Sequence, residues 1–311
     1  MTYFCSADKN NKKIQNKKET DIMANSIQTF KNYVPLLDDV YKAAAKTAVL
    51  ESDSTLAKSG ANANEIVIPK LDMDGLGDYS RNDGYVNGSV TLTNETVPFN
   101  YERGRMFSVD AMDDEETAGV AFGKLAGEFI RTKVAPEMDA VRFAKYASAP
   151  GISKATAGAF SDGEALLKAI ADAMAKMDAD EVPEEDRHLF ITPTLYYLAV
   201  SSEAAAAKAV LEQFASINKV PQSRFYTAVD LKDGSTAGQE AGGFAKASGA
   251  KNINFMIVHR PAVMQFTKHQ EPKVISPESN QTADAWKFGY RVYGLNNAYV
   301  NKLAGVYLSN V

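Results

Sequence analysis

Apolar positions recur every three or four residues in two long stretches of the chain. In EALLKAIADAMAKMDAD (164–180), Leu166, Ile170, Ala173 and Met177 share one face, which predicts an amphipathic helix. Between 113 and 147, Phe122, Leu125 and Phe129 step by three and four, and Val134, Met138, Val141 and Lys145 continue the rhythm. Pro136 lies inside that helix and is expected to kink or break it. The acidic run Asp113 to Glu116 is expected at its N-terminus, where carboxylates favour the helix dipole and cap free amides. After Pro35, Leu36, Val40, Ala43, Ala44 and Thr47 predict another helix. PTLYYLAV (193–200) and SSEAAAAKAVLEQFASI (201–217) predict two more, the second capped by Ser201 or Ser202.

Strand patterns fill the remainder. HLFITP (188–193) and the unbroken apolar run INFMIVH (253–259) read as buried strands, and RFYTAVD (224–230) as a third. In WKFGYRVYG, Trp286, Phe288, Tyr290 and Val292 alternate with polar or small residues; GLNN (294–297) then reads as a turn, ahead of AYVNKLAGVYLS. PGISKATAGAFSD (150–162) and DGSTAGQEAGGFAKASGAKN (233–252) read as loops of small residues. No internal repeat is visible. A long helix, a mixed middle and a strand-rich end predict an α+β fold.

One polar stretch fits none of these cores. EIVIPKLDM (65–73) is a short strand pattern, and GDYSRNDGYVNGSVTLTNETVPFNYERGRMFSVD (77–110) follows it, with turn signals at Asp83-Gly84 and Asn87-Gly88. In its return strand, Val90 and Leu92 share one face and Val97, Phe99 and Tyr101 the other, so a bulge or strong twist is expected near Asn94 to Thr96. Pro98 cannot donate to a ladder, which makes this an edge strand. An isolated hairpin of this kind is only marginally stable in water, so it needs a surface to lie on.

Composition adds bounds. The chain has 311 residues, enough for one large or two modest domains. No apolar run reaches the roughly 18 residues of a membrane helix, and the N-terminus lacks the apolar region of a secretory signal. Cys5 is the only cysteine, so no internal disulfide forms, and cytoplasmic folding is the simplest reading. The first 22 residues are rich in Lys and Asn and carry five Lys against three acidic residues, which leaves −7 of the net −5 charge on the rest. They read either as a flexible basic tail or as a leader ahead of translation starting at Met23, since Lys18-Glu19 can be encoded as a ribosome-binding sequence. An acidic chain is a poor general nucleic-acid binder.

The search for chemistry excludes more than it finds. His188, His259 and His269 have no second His or Cys at ligand spacing, so neither a metal site nor a cofactor site is predicted. Gly234 to Gly243 lacks the Gly-Lys-Ser/Thr ending of a phosphate loop. There is no Gly-x-Ser-x-Gly elbow. Asp113 to Glu116 and Glu184 to Asp186 are explained by helix capping and solvation. The expectation is a protein without catalytic residues.

Four landmarks carry a resemblance: GLGDY (75–79), YERGRMFSVDAMD (101–113), EFIRTKVAPEMDAVRFAK (128–145) and the closing GYRVYGLNNAYVNKLAGVYLS (289–309). With them the chain resembles the major capsid proteins of tailed bacteriophages and prophages, which have the Hong Kong 97 fold. The resemblance covers nearly everything from Met23 onward and is weakest over 195–250. It implies an N-arm at 23–58, an extended β-hairpin E-loop at 59–106, a P-domain with its long spine helix at 107–150, an A-domain at 151–256, and P-domain return strands at 257–311. The implied function is a self-assembling icosahedral shell, built from hexamers and pentamers in the bacterial host cytoplasm, that encloses double-stranded DNA.

In such a shell the ribbon would lie on a neighbouring copy, with Tyr79, Arg81, Asn82, Tyr85, Arg103 and Arg105 as candidate intersubunit contacts. Two departures from the family pattern matter. The tip YSRNDGYVNGS has no lysine, which argues against a covalent Lys–Asn link there, although Lys70 lies nearer the base. The region before the N-arm is too short for a fused scaffolding segment, which implies a separate scaffolding protein or none; a portal is also expected. The acidic balance suits a container wall touching DNA without sequence preference, because a strongly basic wall would hold DNA fast. Two other readings stand beside this one: an encapsulin-like compartment around a cargo enzyme, and an enzyme with an oligomerisation hairpin.

Overall fold

The computed structural model describes residues 45–52, 58–59, 64–116, 120–155, 158–202 and 204–311. The leader, the start at Met23 and the helical positions Leu36, Val40, Ala43 and Ala44 lie outside them. Thr47, the last of that series, sits in a short 3-10 turn, Lys46–Leu50, and is fully buried.

The ribbon is a three-stranded sheet of β1 (Lys58–Ser59), β2 (Glu65–Met73) and β3 (Val90–Pro98) in that order. The β2–β3 register runs without a shift from Glu65↔Pro98 to Met73↔Val90. The expected bulge is therefore absent. Val90 and Leu92 lie on the face opposite Val97 of a regular strand, at 68% and 64% exposure against 6%. Pro98 ends β3, the edge strand, as predicted. At the far end Ser80 and Gly84 exchange backbone hydrogen bonds of 3.1 and 2.8 Å, and Gly84 takes φ +82°, which closes the Asp83-Gly84 turn. The second signal, Asn87-Gly88, forms no turn, and the backbone there runs on irregularly to Ser89.

Beyond the ribbon, β4 (Tyr101–Asp110) runs into α1 (Ala111–Glu116), α2 (Val120–Phe129) and α3 (Ala135–Ser148). The acidic run lies in α1, ahead of the long helix, with Asp113 and Asp114 in the first turn as expected, and Asp110 accepts there from the Met112 amide. Between α2 and α3 the helix opens into a π turn over Ile130–Val134, with the Ala135 N–H reaching back five residues to the Ile130 carbonyl. Pro136 has no N–H for the carbonyl four residues before it, so the wider turn just upstream absorbs the mismatch and the helix continues. α3 is buried nearly all round, including Glu137, Asp139 and Arg142; Lys145 and Ser148 are its exposed exceptions.

The core is a five-stranded sheet. Its order is β5 (Ser153–Lys154), β13 (Val306–Asn310), β10 (Ile253–His259), β6 (Arg187–Ile191) and β7 (Ser216–Lys219). Every residue of β10 and β6 is buried, as the apolar runs predict, and Arg187 and His188 at the start of β6 are buried with them. Alternate side chains go to opposite faces. Phe190, Met256 and Val258 pack with Phe143 and Tyr146 of α3. Leu189, Phe255 and Ile257 pack against Leu166, Ile170, Ala173 and Met177, the predicted face of α4 (Gly163–Ala179). α5 (Pro193–Val200) and α6 (Ala204–Leu211) cover the same side. The Ser201 and Ser202 hydroxyls donate to the Leu198 and Ala199 carbonyls, so they finish α5 rather than cap α6.

A third sheet, β11 (Val263–Ile275), β12 (Ala285–Ala298) and β4, lies against the long helix through Phe288, Tyr290 and Val292. The expected GLNN turn is instead the end of the 14-residue β12. A Cβ at Gly294 would meet the Phe266 carbonyl at 2.8 Å, so glycine is needed where β11 bulges between Thr267 and His269. Asn296 stays in the strand because its amide and carbonyl bond to the Asn100 side chain. The expected strand RFYTAVD shrinks to β8 (Val229–Leu231), paired with β9 (Phe244–Lys246) in a small hairpin. The segment from 257 onward serves two sheets: β11 and β12 pair with β4, whereas the last strand, β13, enters the core sheet.

Candidate functional site

Three features outside the core bear on function: the ribbon, the hairpin loop 232–243, and the buried root where residue 45 enters the fold.

Among the described residues the ribbon finds a surface in its own chain at its base alone. Ile66 and Val97, with Ile68 and Phe99 beside them, pack on Met264, Phe266 and Leu295 of β11 and β12. The Phe99 ring stacks on Tyr293 at 4.8 Å, and the Lys268 ammonium lies 5.2 Å from the Phe99 ring centre. Midway along, Lys70 pairs with Glu95 at 2.6 Å. Past that point the opposite face carries two cross-strand apolar pairs, Leu71↔Leu92 and Met73↔Val90, all more than half exposed. Leu76 is fully exposed.

Of the predicted contact residues, Tyr79, Arg81, Asn82 and Tyr85 come together at the tip. The Tyr79 and Tyr85 rings meet edge to face at 4.9 Å, and all four side chains are exposed. Arg103 and Arg105 lie apart from them on β4. Arg103 donates to Glu137 Oε1 (2.8 Å) and to the Lys232 and Gly243 carbonyls (2.7 and 3.2 Å). Arg105 donates to the Glu240 carbonyl at 2.9 Å and remains exposed. Sequence reasoning missed the apolar pairs of the distal ribbon. Their signal is the alternation LDMDGLGDY (71–79), in which apolar and acidic side chains take turns.

The loop 232–243, most of it inside the stretch 233–252 read as a loop of small residues, is folded by its own hydrogen bonds. Asp233 accepts from the Thr236 hydroxyl and from the Thr236 and Ser235 amides, and these donors hold its carboxyl down to about 2. Together with β4 and the α2–π-turn segment, this loop walls a groove of about 680 Å³ with an apolar floor that includes Phe107, Leu125 and Phe129.

At the root, the Asp139 carboxylate, fully buried on α3, accepts from the Lys46 and Thr47 amides, the Thr47 hydroxyl and Arg224, all at 2.7 to 3.0 Å. Arg142 donates to Thr47 Oγ1 and to Asn296 Oδ1, and Gln265 donates to the Thr47 carbonyl. Tyr146 completes the set by donating to Gln265, and burial pushes its phenol pKa well above the ordinary value. Burying these charges is tolerable because each has partners. His188 and His259 both sit in buried strands, where desolvation lowers their pKa values. Among the described residues no three His, Cys, Asp or Glu side chains gather where a metal ion could sit, and no helix is long and apolar enough to cross a membrane.

No protein-family model matches the chain, and no curated protein matches it in sequence. Solved structures do match. One from Mycobacterium phage Che8 is 15% identical, with 80% of this chain and 85% of that one covered at a TM-score of 0.54. The capsid structure of the Cyanophage P-SCSP1u is 13% identical over 81% and 85% of the two chains, at 0.51. The virus-like particle from Pyrococcus furiosus is 11% identical over 90% and 98%, at 0.53. The α+β architecture is thus the Hong Kong 97-type fold of phage capsids.

Proposed function

We propose that this chain, which shares its fold with phage capsids, is itself a major capsid protein of a tailed phage or prophage: a structural, non-catalytic subunit that assembles with its own copies into an icosahedral shell around double-stranded DNA. The shared fold over 81% of the chain, seen against a structure described as a capsid, carries this reading. The exposed apolar half of the ribbon supports it, because a contiguous apolar face in water marks a contact surface.

In this reading the N-arm is 23–58, the E-loop 59–106, the P-domain 107–150 with return strands at 257–311, and the A-domain 151–256. The tip residues Tyr79, Arg81, Asn82 and Tyr85 touch a neighbouring copy, and Arg105, exposed on β4, remains a second contact point. Arg103 contributes by holding the 232–243 loop in place beside it. The join at the tip is non-covalent, since no lysine stands there and Lys70 is occupied by Glu95. A separate scaffolding protein and a portal act in assembly in the host cytoplasm, and packaged DNA is met without sequence preference.

The test is electron microscopy of the purified chain, alone and co-expressed with a scaffolding protein. Closed shells without a cargo enzyme are expected. Shells loaded with one enzyme would make it a cellular compartment, and a small oligomer that closes no shell with any partner would end the reading. Deleting 79–88 is expected to leave a folded chain that assembles poorly.

A further inference from the structure

Asn87-Gly88 is the one Asn-Gly dipeptide of the chain, and the turn it signals does not form. We propose that Asn87 is a site of spontaneous deamidation, at which the ribbon converts an amide into a carboxylate with time. The Gly88 amide nitrogen loses its proton to base and attacks the Asn87 side-chain carbon Cγ. A new N–Cγ bond closes a cyclic succinimide, and the side-chain nitrogen takes up the proton and leaves as ammonia. Water then opens the ring. Attack at Cγ gives aspartate; attack at the backbone carbonyl gives isoaspartate, in which the chain runs through the side chain. No enzyme, metal or partner takes part, so the step belongs to the free chain whatever it assembles into.

The reaction needs a free backbone amide, a free side chain and slack between them. Gly88 has no side chain to block the approach. Among the described residues, neither the Gly88 amide nor the Asn87 side chain makes a hydrogen bond, and both residues are exposed. The slack has a structural origin. The loop is clamped at its neck, where the Asp74 amide donates to the Ser89 carbonyl (3.1 Å) and the Ser89 amide to Asp74 Oδ2 (2.7 Å). It is clamped again at the Ser80–Gly84 turn. Residues 85–88 lie between the two clamps without regular structure. The fold does not require glycine at 88: its φ is not left-handed, and an added Cβ would come no nearer than 3.9 Å, to the Asp74 Cβ. The four Asp-Gly dipeptides, which form the same ring by losing water, are the contrast. Each of their acids is held: Asp74 by the Ser89 amide, Asp83 by the Ser80 hydroxyl, Asp162 by the Ala165 amide and Asp233 by Thr236. Asn87 has no such hold. Its conversion adds a carboxylate to a ribbon half that already carries Asp72, Asp74, Asp78 and Asp83, where like charges repel. Isoaspartate also lengthens the backbone between the clamps, so the neck is expected to loosen.

Peptide mapping by mass spectrometry tests the site. The purified full chain is held for days at mildly alkaline pH, beside chains carrying Gly88→Ala or Asn87→Gln. Residue 87 is expected to gain the mass of OH in place of NH2, to resolve into aspartate and isoaspartate forms, and to convert about tenfold or more faster than any other asparagine of the described residues. Gly88→Ala should slow the conversion by about tenfold or more, since a Cβ crowds the attack and confines the backbone. Asn87→Gln should leave residue 87 unchanged over the same time. An Asn87 that stays intact, or converts no faster than the other asparagines, overturns the assignment. Conversion undiminished in Gly88→Ala overturns the succinimide route. Trypsin reads the consequence: cleavage after Arg81 is expected to be faster in the aged chain than in fresh chain or in aged Gly88→Ala, and equal rates overturn the loosening of the neck.

Discussion

The root of the fold and the far half of the ribbon treat side chains in opposite ways. At the root, Asp139, Arg142, Thr47 and Gln265 are charged or polar, yet they are buried and satisfied by one another. On the distal ribbon, Leu71, Met73, Val90 and Leu92 are apolar, yet they stand in water. Burial here follows the availability of partners, not residue type. The root has its partners within one chain, whereas the distal ribbon has none among the described residues, and on the proposed reading a neighbouring copy supplies them. The ribbon's base marks the boundary, since Ile66 and Val97 reach β11 and β12 and the next apolar pairs outward do not.

The largest way to break this contrast is at the root. Asp139→Ala should cost about 3–5 kcal/mol, because it takes the acceptor from two helix-end amides and the buried Thr47 hydroxyl and leaves buried Arg142 beside no carboxylate; denaturant unfolding of the unassembled chain measures it. A loss below 1 kcal/mol would mean that the root is wetter than it looks. Next is the ribbon's base, where Leu295→Ala should cost about 2–5 kcal/mol by leaving a cavity under Ile66 and Val97. The same measurement, joined to proteolysis of the ribbon, should show the ribbon loosening first. Midway, Lys70→Met should cost only about 0.2–1 kcal/mol, since the Lys70–Glu95 pair is partly exposed. Smallest for stability is Leu71→Ser with Leu92→Ser, expected within about 0.5 kcal/mol of the parent chain. Its effect should appear only in assembly, as a lower shell yield in microscopy. A large drop in the unassembled chain's stability would show that this face is already used at home.

The long helix shows how far local pattern reaches. Leu166, Ile170, Ala173 and Met177 of α4 are legible because one helical face meets one sheet, and spacing alone identifies it. α3 is not legible in this way, because it is covered on nearly every side and three of its buried residues are charged. The same holds for the candidate site. The tip residues and the edge proline were visible in the sequence, since turn chemistry is local. The groove was not, because it joins β4, the long helix and a loop more than 100 residues later.

The amino-acid sequence by itself determined the elements whose cause is local: the amphipathic α4, the continuous core strands β6 and β10, the Asp83-Gly84 turn, and a ribbon too polar to be a core. Only the tertiary structure decided which of those elements carry on past their local signals. It drew GLNN into β12 because β11 and Asn100 supply partners for its backbone, and it settled the base of the ribbon on β11 and β12. It also placed charges inside, at Asp139 and Arg142, whose partners lie between 85 and 154 residues away. The physical reason is the same in each case. A buried polar or extended segment is stable only when its hydrogen-bonding groups are met, and distant parts of the chain meet them after it has folded.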